Sequence, residues 1–140
     1  MKLFFSSLIL ASSLYSSSLM AKLKISEGYV REHPPMMSMT AGFGSLTNAG
    51  NATITIVGLE SKVGKAELHE SKETADGSIS MQELSQIAIK PGETFELKPM
   101  GSHIMLSKIT TPLRSGESVD ITFILSDKTK QTLSFPIKKD

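Results

Sequence analysis

Lys65-Ala66-Glu67-Leu68-His69-Glu70, a polar loop ending in Asp76-Gly77, then Ser78-Ile79-Ser80-Met81-Gln82: in this stretch the chain shows its secondary structure most plainly. Both runs alternate with a period of two, the pattern of a strand with one face to solvent. Asp-Gly between two such runs supplies the positive backbone angles that a tight hairpin turn needs. A hairpin is expected here, with His69 ending the first strand at the mouth of the turn and Met81 on the returning strand. Ile79 and Met81 share one face while Ser78, Ser80 and Gln82 share the other. Periodicity therefore leaves Met81 open between core packing and a site.

The same grammar extends in both directions. Towards the C-terminus, Lys90-Pro91-Gly92-Glu93 marks a turn before a strand over 94–98. His103-Ile104-Met105-Leu106 reads as another strand, residues 113–117 as a loop, and residues 119–125 and 131–135 as a last pair around Asp127-Lys128. Towards the N-terminus, Ala52-Thr53-Ile54-Thr55-Ile56-Val57 is β-branched strand. Asn48-Ala49-Gly50-Asn51 is turn chemistry, and Thr40 to Thr47 is a second strand. A first strand over 23–31 is broken by His33-Pro34-Pro35, because proline cannot donate to a ladder. No helical period persists. About eight or nine short strands separated by turn signals predict an all-β, Greek-key β-sandwich in one domain.

Composition narrows the function classes. Lys and Arg number 15 against 14 Asp and Glu, so there is no electrostatic footprint for nucleic acid. There are no cysteines, eight methionines and three histidines, which excludes a disulfide framework, a thiolate nucleophile and a zinc finger. Met1-Lys2, the apolar run over residues 3–11 and a serine-rich stretch up to Ala21 predict a secretory signal peptide over 1–21. Cleavage is expected after Ala21, with Ser18 as second choice, leaving a mature domain over 22–140. The apolar run is too short to span a bilayer, so no stable membrane insertion is expected after cleavage. No cysteine follows it to carry a lipid. Removing Lys2 with the leader leaves 14 charges of each sign.

On the strand at 103–106, residues two apart project from the same face. His103 and Met105 thus stand side by side, about 7 Å apart along the strand, opposite Ile104 and Leu106. The apolar pair is the better core face, so His103 and Met105 are expected to look outward. Imidazole and thioether are the two neutral side chains that suit monovalent copper. His69, Met81, His103 and Met105 together would make a site of charge +1 around Cu(I), able to pass the ion to a stronger sulfur site. A blue-copper electron-transfer site needs a cysteine thiolate with two histidines, and this chain has none. Asp76, Glu70 and Glu67 read as surface charges of the hairpin, with orientation of His69 as a further role open to Glu67.

The arrangement of His69, eleven residues, Met81, twenty-one residues, then His103-x-Met105 resembles the signature of the PCuAC family of periplasmic copper chaperones. Val63-Gly64-Lys65-Ala66-Glu67-Leu68-His69-Glu70 and Lys98-Pro99-Met100-Gly101-Ser102-His103-Ile104-Met105-Leu106 resemble the family's two ligand strands. The likeness runs over roughly residues 22–137. It implies a cupredoxin-like β-sandwich holding one Cu(I) per chain through His69, Met81, His103 and Met105. It also implies a periplasmic protein, not an enzyme, that delivers copper to a respiratory haem-copper oxidase, typically its dinuclear copper centre, sometimes alongside a thiol-containing assembly factor. Two positions depart from the family's pattern: Glu70 follows the first ligand where a methionine can stand, and Met100 occupies a usual glycine.

Two other readings stand beside delivery. Copper buffering or resistance would draw on His33, Met36, Met37 and Met39 as added capacity, and whether Cu(II) also binds through the His33 region is left open. A metal-free exported interaction module would use a sheet edge for protein binding. Gly42-x-Gly44 lacks the strand–loop–helix context of a phosphate loop.

Overall fold

The computed structural model describes residues 22–139; the expected leader over 1–21 lies outside the described residues. Ten strands are found among them: β1 (Leu23–Arg31), β2 (Thr40–Asn48), β3 (Ile54–Ser61), β4 (Lys65–Glu73), β5 (Ile79–Glu83), β6 (Ile87–Ile89), β7 (Thr94–Leu97), β8 (Ser102–Ser107), β9 (Ser118–Leu125) and β10 (Lys130–Lys138). The strand beyond the expected eight or nine is β6, three residues that pair Ile54 to Ile56 of β3.

Hydrogen bonds join the strands in the order β5-β4-β8-β2-β1-β10-β9-β3-β6, with β7 also on β2. β1 and β10 meet parallel at just two pairs, Val30↔Ile137 and Arg31↔Lys138. At that seam the sheet curls into two layers, an all-β cupredoxin-like sandwich. Alternation along each strand fills the space between the layers. Val30 and Leu46 come from β1 and β2, Leu68 from β4, and Ile104 and Leu106 from β8. They meet Ile56, Ile121, Phe123 and Phe135 from the other layer, all buried. Phe123 and Phe135 stack with centroids 6.4 Å apart, an offset geometry that adds to their area burial.

Two irregularities shape the site layer. β1 carries a bulge between Ser26 and Tyr29, with Glu27 at φ 54°, and the bulge presses Gly28 against Gly44 of β2. Asn48, expected in a turn, instead ends β2 fully buried. Its amide nitrogen donates to the carbonyls of Ala52 and Ile89, and its oxygen accepts from the Gly50 N–H. A buried amide is tolerated because those polar atoms are paired.

The hairpin that opened the sequence is present, its first strand three residues longer than expected. β4 continues through Ser71, Lys72 and Glu73, which pair with Met81, Ser80 and Ile79 of β5. Their polarity marks an edge hairpin with solvent on both sides, and polar side chains do not interrupt a backbone ladder. Asp76 closes the turn, accepting from the Ser78 hydroxyl and N–H and from the Thr74 hydroxyl. Those donors, Ser78 first, hold its carboxyl down at about 2. Because the folded value lies below the unfolded one, the contribution is present above the ordinary carboxylate range and is lost as pH falls through about 2. A carboxyl-carbon NMR titration should find the Asp76 midpoint near 2, with the Thr74 and Ser78 amide shifts following it. A midpoint near 4 would mean that the turn is not closed by Asp76.

Candidate metal centre

Because β4 runs on past Glu70, His69 sits in mid-strand and not at a strand end. It lies directly opposite His103 of β8 on one side and Glu83 of β5 on the other. The neighbouring pairs on the same face are Glu67↔Met105 and Ser71↔Met81. Opposed residues in an antiparallel pair project to the same side, with diagonal neighbours about 7–8 Å away. The register therefore gathers His69, Met81, His103 and Met105 on the face of β5-β4-β8 that points away from the core, while Leu68, Ile104 and Leu106 fill the core side.

The expectation that His103 is exposed needs correcting. It does face away from the core, yet it is only 4% exposed. Its ring is covered by His69, centroids 6.1 Å apart at 41°, and by Phe43 of β2, 6.4 Å away at 48°. Phe43 is held in turn by Tyr29 at 5.5 Å and by the Arg31 guanidinium 4.8 Å above its ring. This aromatic wall was not foreseen, although the alternation of Tyr29/Arg31 and Ala41/Phe43 places it on the site face once the register is known. Met105 is partly buried, and Met81, on the edge strand, is 56% exposed.

Each imidazole is anchored through one nitrogen and free at the other. His103 Nδ1 lies 3.0 Å from the Gly101 carbonyl; a carbonyl can only accept, so Nδ1 carries the proton and Nε2 keeps its lone pair. His69 Nε2 lies 2.7 Å from Glu67 Oε2, which places its proton on that nitrogen and the lone pair on Nδ1. His69 Nδ1 and His103 Nε2 are both buried without any hydrogen-bond partner. Orphaned buried acceptors cost about 1–3 kcal/mol each, and anchoring the far nitrogen is how proteins orient a ligating imidazole. The donor set therefore suits a soft, electron-pair-accepting ion.

Glu67 is shared, with its other oxygen paired to Lys65. The hydrogen bond from Lys65, then that from His69, holds its carboxyl below the usual range. It stays an anion that accepts the His69 proton. The Gly101 carbonyl belongs to the turn Lys98-Pro99-Met100-Gly101, closed by Gly101 N–H donating to Lys98 O at 3.1 Å. Met100 stands at its third position with φ 66°, where Gly92 stands in the equivalent Lys90-Pro91-Gly92-Glu93 turn at φ 77°. Proline sets the second position of this turn and the third needs a positive φ, so Met100 is held in a conformation that favours glycine.

Among the described residues no group of three or more His, Cys, Asp and Glu could hold a metal; the gathered donors here are two imidazoles and two thioethers. A cavity of about 390 Å³ between β3 and β4 is lined in part by Glu67 and Glu83 but by none of the histidines or methionines.

Comparison with known proteins agrees with this architecture. The chain is similar to the apo PCuAC domain from PmoF1 (17% identity, 85% of this chain and 95% of that one, TM-score 0.69). It is likewise similar to the copper-bound PCuAC domain from PmoF2 (16%, 85% and 94%, TM-score 0.66). It also resembles Cu(I)-bound DR1885 from Deinococcus radiodurans (26% identity, 89% and 84%, TM-score 0.63). In sequence, the protein Lxx21020 of Leifsonia xyli subsp. xyli (strain CTCB07), described as a "putative lipoprotein", is 38% identical over 102 residues. That match covers 71% of this chain and 61% of the relative, so the chain spans under two thirds of that relative's length. A family model described as "Putative lipoprotein LpqE-like" matches residues 23–137. The chain belongs to the LpqE-like family, carried on the fold of PCuAC domains.

Proposed function

We propose that this protein is an exported metallochaperone that carries one Cu(I) on His69 Nδ1, His103 Nε2 and the thioethers of Met81 and Met105. One observation carries the reading: two opposed imidazoles, each pinned through its far nitrogen, with both remaining lone pairs buried and unpartnered. Soft thioethers beside imidazole favour monovalent copper. The copper-bound state of the PmoF2 domain and the Cu(I)-bound state of DR1885 support the same cargo. The family's lipoprotein description and the leader expected over 1–21 support export, with the periplasm as the compartment.

Transfer on this reading is ligand exchange and not catalysis. His103 is too enclosed to meet a partner first; the exposed donor is Met81 on the edge strand β5. An incoming thiolate or imidazole approaches along that edge and joins the copper shell as the Met81 thioether leaves, while both histidines stay anchored. The acceptor in this reading is a respiratory haem-copper oxidase, at its dinuclear copper centre, or a thiol-containing assembly factor. Buffering is the second reading, favoured by the exposed methionines of the β1–β2 loop; it predicts several equivalents of similar affinity.

Anaerobic competition against a Cu(I) chelator, followed by X-ray absorption, tests the site. One tight equivalent with two sulfur and two nitrogen neighbours is expected. Glu67→Gln should weaken that equivalent about 10–100-fold, the usual effect of losing the partner that orients a ligating histidine. Wild-type affinity in Glu67→Gln together with a sulfur-free copper shell would sink the assignment.

A further inference from the structure

The copper site as drawn uses two of the six methionines among the described residues. Three others crowd the loop between β1 and β2: Met36 is 95% exposed, Met37 52% and Met39 48%. Apolar surface left in water gains nothing from packing, so packing does not account for Met36 and accounts for Met37 and Met39 only in part.

The loop holds a shape nonetheless. Pro34-Pro35 restricts its first half, and Met37 N–H donates to Pro34 O at 2.9 Å to close a turn. At the far end Ser38 O accepts from Ile109 N–H at 3.0 Å, tying the loop to the segment after β8. At its root stands His33, 9% exposed, with Nδ1 buried and without a hydrogen-bond partner. This is the third histidine of the chain, and like the other two it keeps an unused nitrogen.

Register connects the loop to the copper face. Ala41 lies opposite Met105, and Thr40 opposite Leu106. Met39 immediately precedes β2; alternation carried back from Ala41 would place it on the face of Ala41 and Met105, across from Ser107, at the end of the site remote from Met81. Three thioethers and one imidazole are again the donor types that select monovalent copper.

We propose that the β1–β2 loop is a second, weaker Cu(I) site, formed by Met36, Met37 and Met39 with His33, which takes up the ion and loads it across Met105 into the His69/His103 centre. The inference rests on the copper-carrier reading. In transfer the loop thioethers and the His33 imidazole leave as the Met105 thioether and then His69 Nδ1 and His103 Nε2 join the ion, at constant charge and oxidation state, with nothing oxidised or reduced. Exposed donors capture quickly and hold weakly, whereas the enclosed histidines hold.

Anaerobic titration of the exported chain with Cu(I) against a chelator should resolve two equivalents, the second at least tenfold weaker. Met36→Leu/Met37→Leu/Met39→Leu, close in size and so kind to the fold, should lose the second equivalent and keep the first within twofold. Its loading from a Cu(I)–chelator donor should be at least fivefold slower. NMR of the wild type should show the second equivalent shifting the three ε-methyl groups and His33 Nδ1. A single equivalent in the wild type, a second one that survives the triple substitution, or an unmoved His33 Nδ1 would overturn the loop site. Failure of the carrier reading looks different: the first equivalent would then be indifferent to replacement of His69 and His103.

Discussion

His103→Leu is expected to lower Cu(I) affinity at least a hundredfold, about 2.7 kcal/mol, while apo stability stays within about 1 kcal/mol of wild type. The two halves of that result come from the same atom. In the apo fold Nε2 is buried and unpartnered, a cost of about 1–3 kcal/mol that only a bound ligand relieves. Leucine fills much of the same volume without a polar atom to orphan, so its apolar gain offsets the loss of the ring's contacts with Phe43 and His69. The Gly101 carbonyl, which loses the Nδ1–H, still accepts from the Ser71 N–H at 3.2 Å. A histidine kept for the fold would behave oppositely: its removal would destabilise the apo protein and leave copper alone. Thermal unfolding with and without Cu(I) separates the cases. A ligand at a thousand times its dissociation constant raises wild-type stability by about 4 kcal/mol, and a hundredfold loss of affinity should cut that increment to about 1.4 kcal/mol or less in the variant. An apo melting point lowered by more than about 8 °C with the copper increment intact would reverse the conclusion.

How much of this was legible before the structure depended on which physical rule governed each residue. The all-β sandwich followed from period-two alternation and turn residues, because burial on one face of a strand imposes that period wherever the strand lies. Gathering His69 with His103 was different in kind. Their opposition is a register fact between strands thirty-odd residues apart, and neither periodicity nor composition encodes register; only the spacing resembling PCuAC proteins pointed to it. The burial of His103 was missed for the same reason. Parity correctly turned His103 away from Ile104 and Leu106, but Phe43 arrives over its ring from β2, a strand whose neighbour in the sheet could not be deduced. β4 was cut short at Glu70 because Ser71, Lys72 and Glu73 read as loop by polarity, whereas an edge hairpin tolerates polar residues on both faces. Asn48 looked like turn chemistry and proved to be a buried latch, since the same amide that favours turns also satisfies carbonyls in a closed space.

Gly42-x-Gly44 shows the same limit and yields the largest expected loss of stability. As sequence it was a phosphate-loop fragment without its context; in the fold it lies where β2 passes beneath the β1 bulge. Gly44 has φ +143°, and a Cβ there would come 2.7 Å from Gly28 Cα and 2.8 Å from Ile25 Cδ1. Backbone cannot swing aside as a side-chain tip can, so Gly44→Ala adds overpacking of about 1–3 kcal/mol to conformational strain of about 1–3 kcal/mol. The expected sum is about 3–4 kcal/mol, a large share of the roughly 5–15 kcal/mol typical of a domain. The apo melting point should fall by about 10–20 °C. Gly77→Ala is the matched control. Its φ of +84° carries the same kind of strain, but nothing lies within 4 Å of a Cβ there, so about 1 kcal/mol is expected and the difference isolates the contact with Gly28. Phe43, between the two glycines of β2, covers His103. A Gly44→Ala protein that still folds should therefore also bind Cu(I) more weakly, whereas Gly77→Ala should not. Equal, small losses in the two variants would mean that the β1 bulge yields to a methyl group and that the close approach of β1 to β2 does not set the site face.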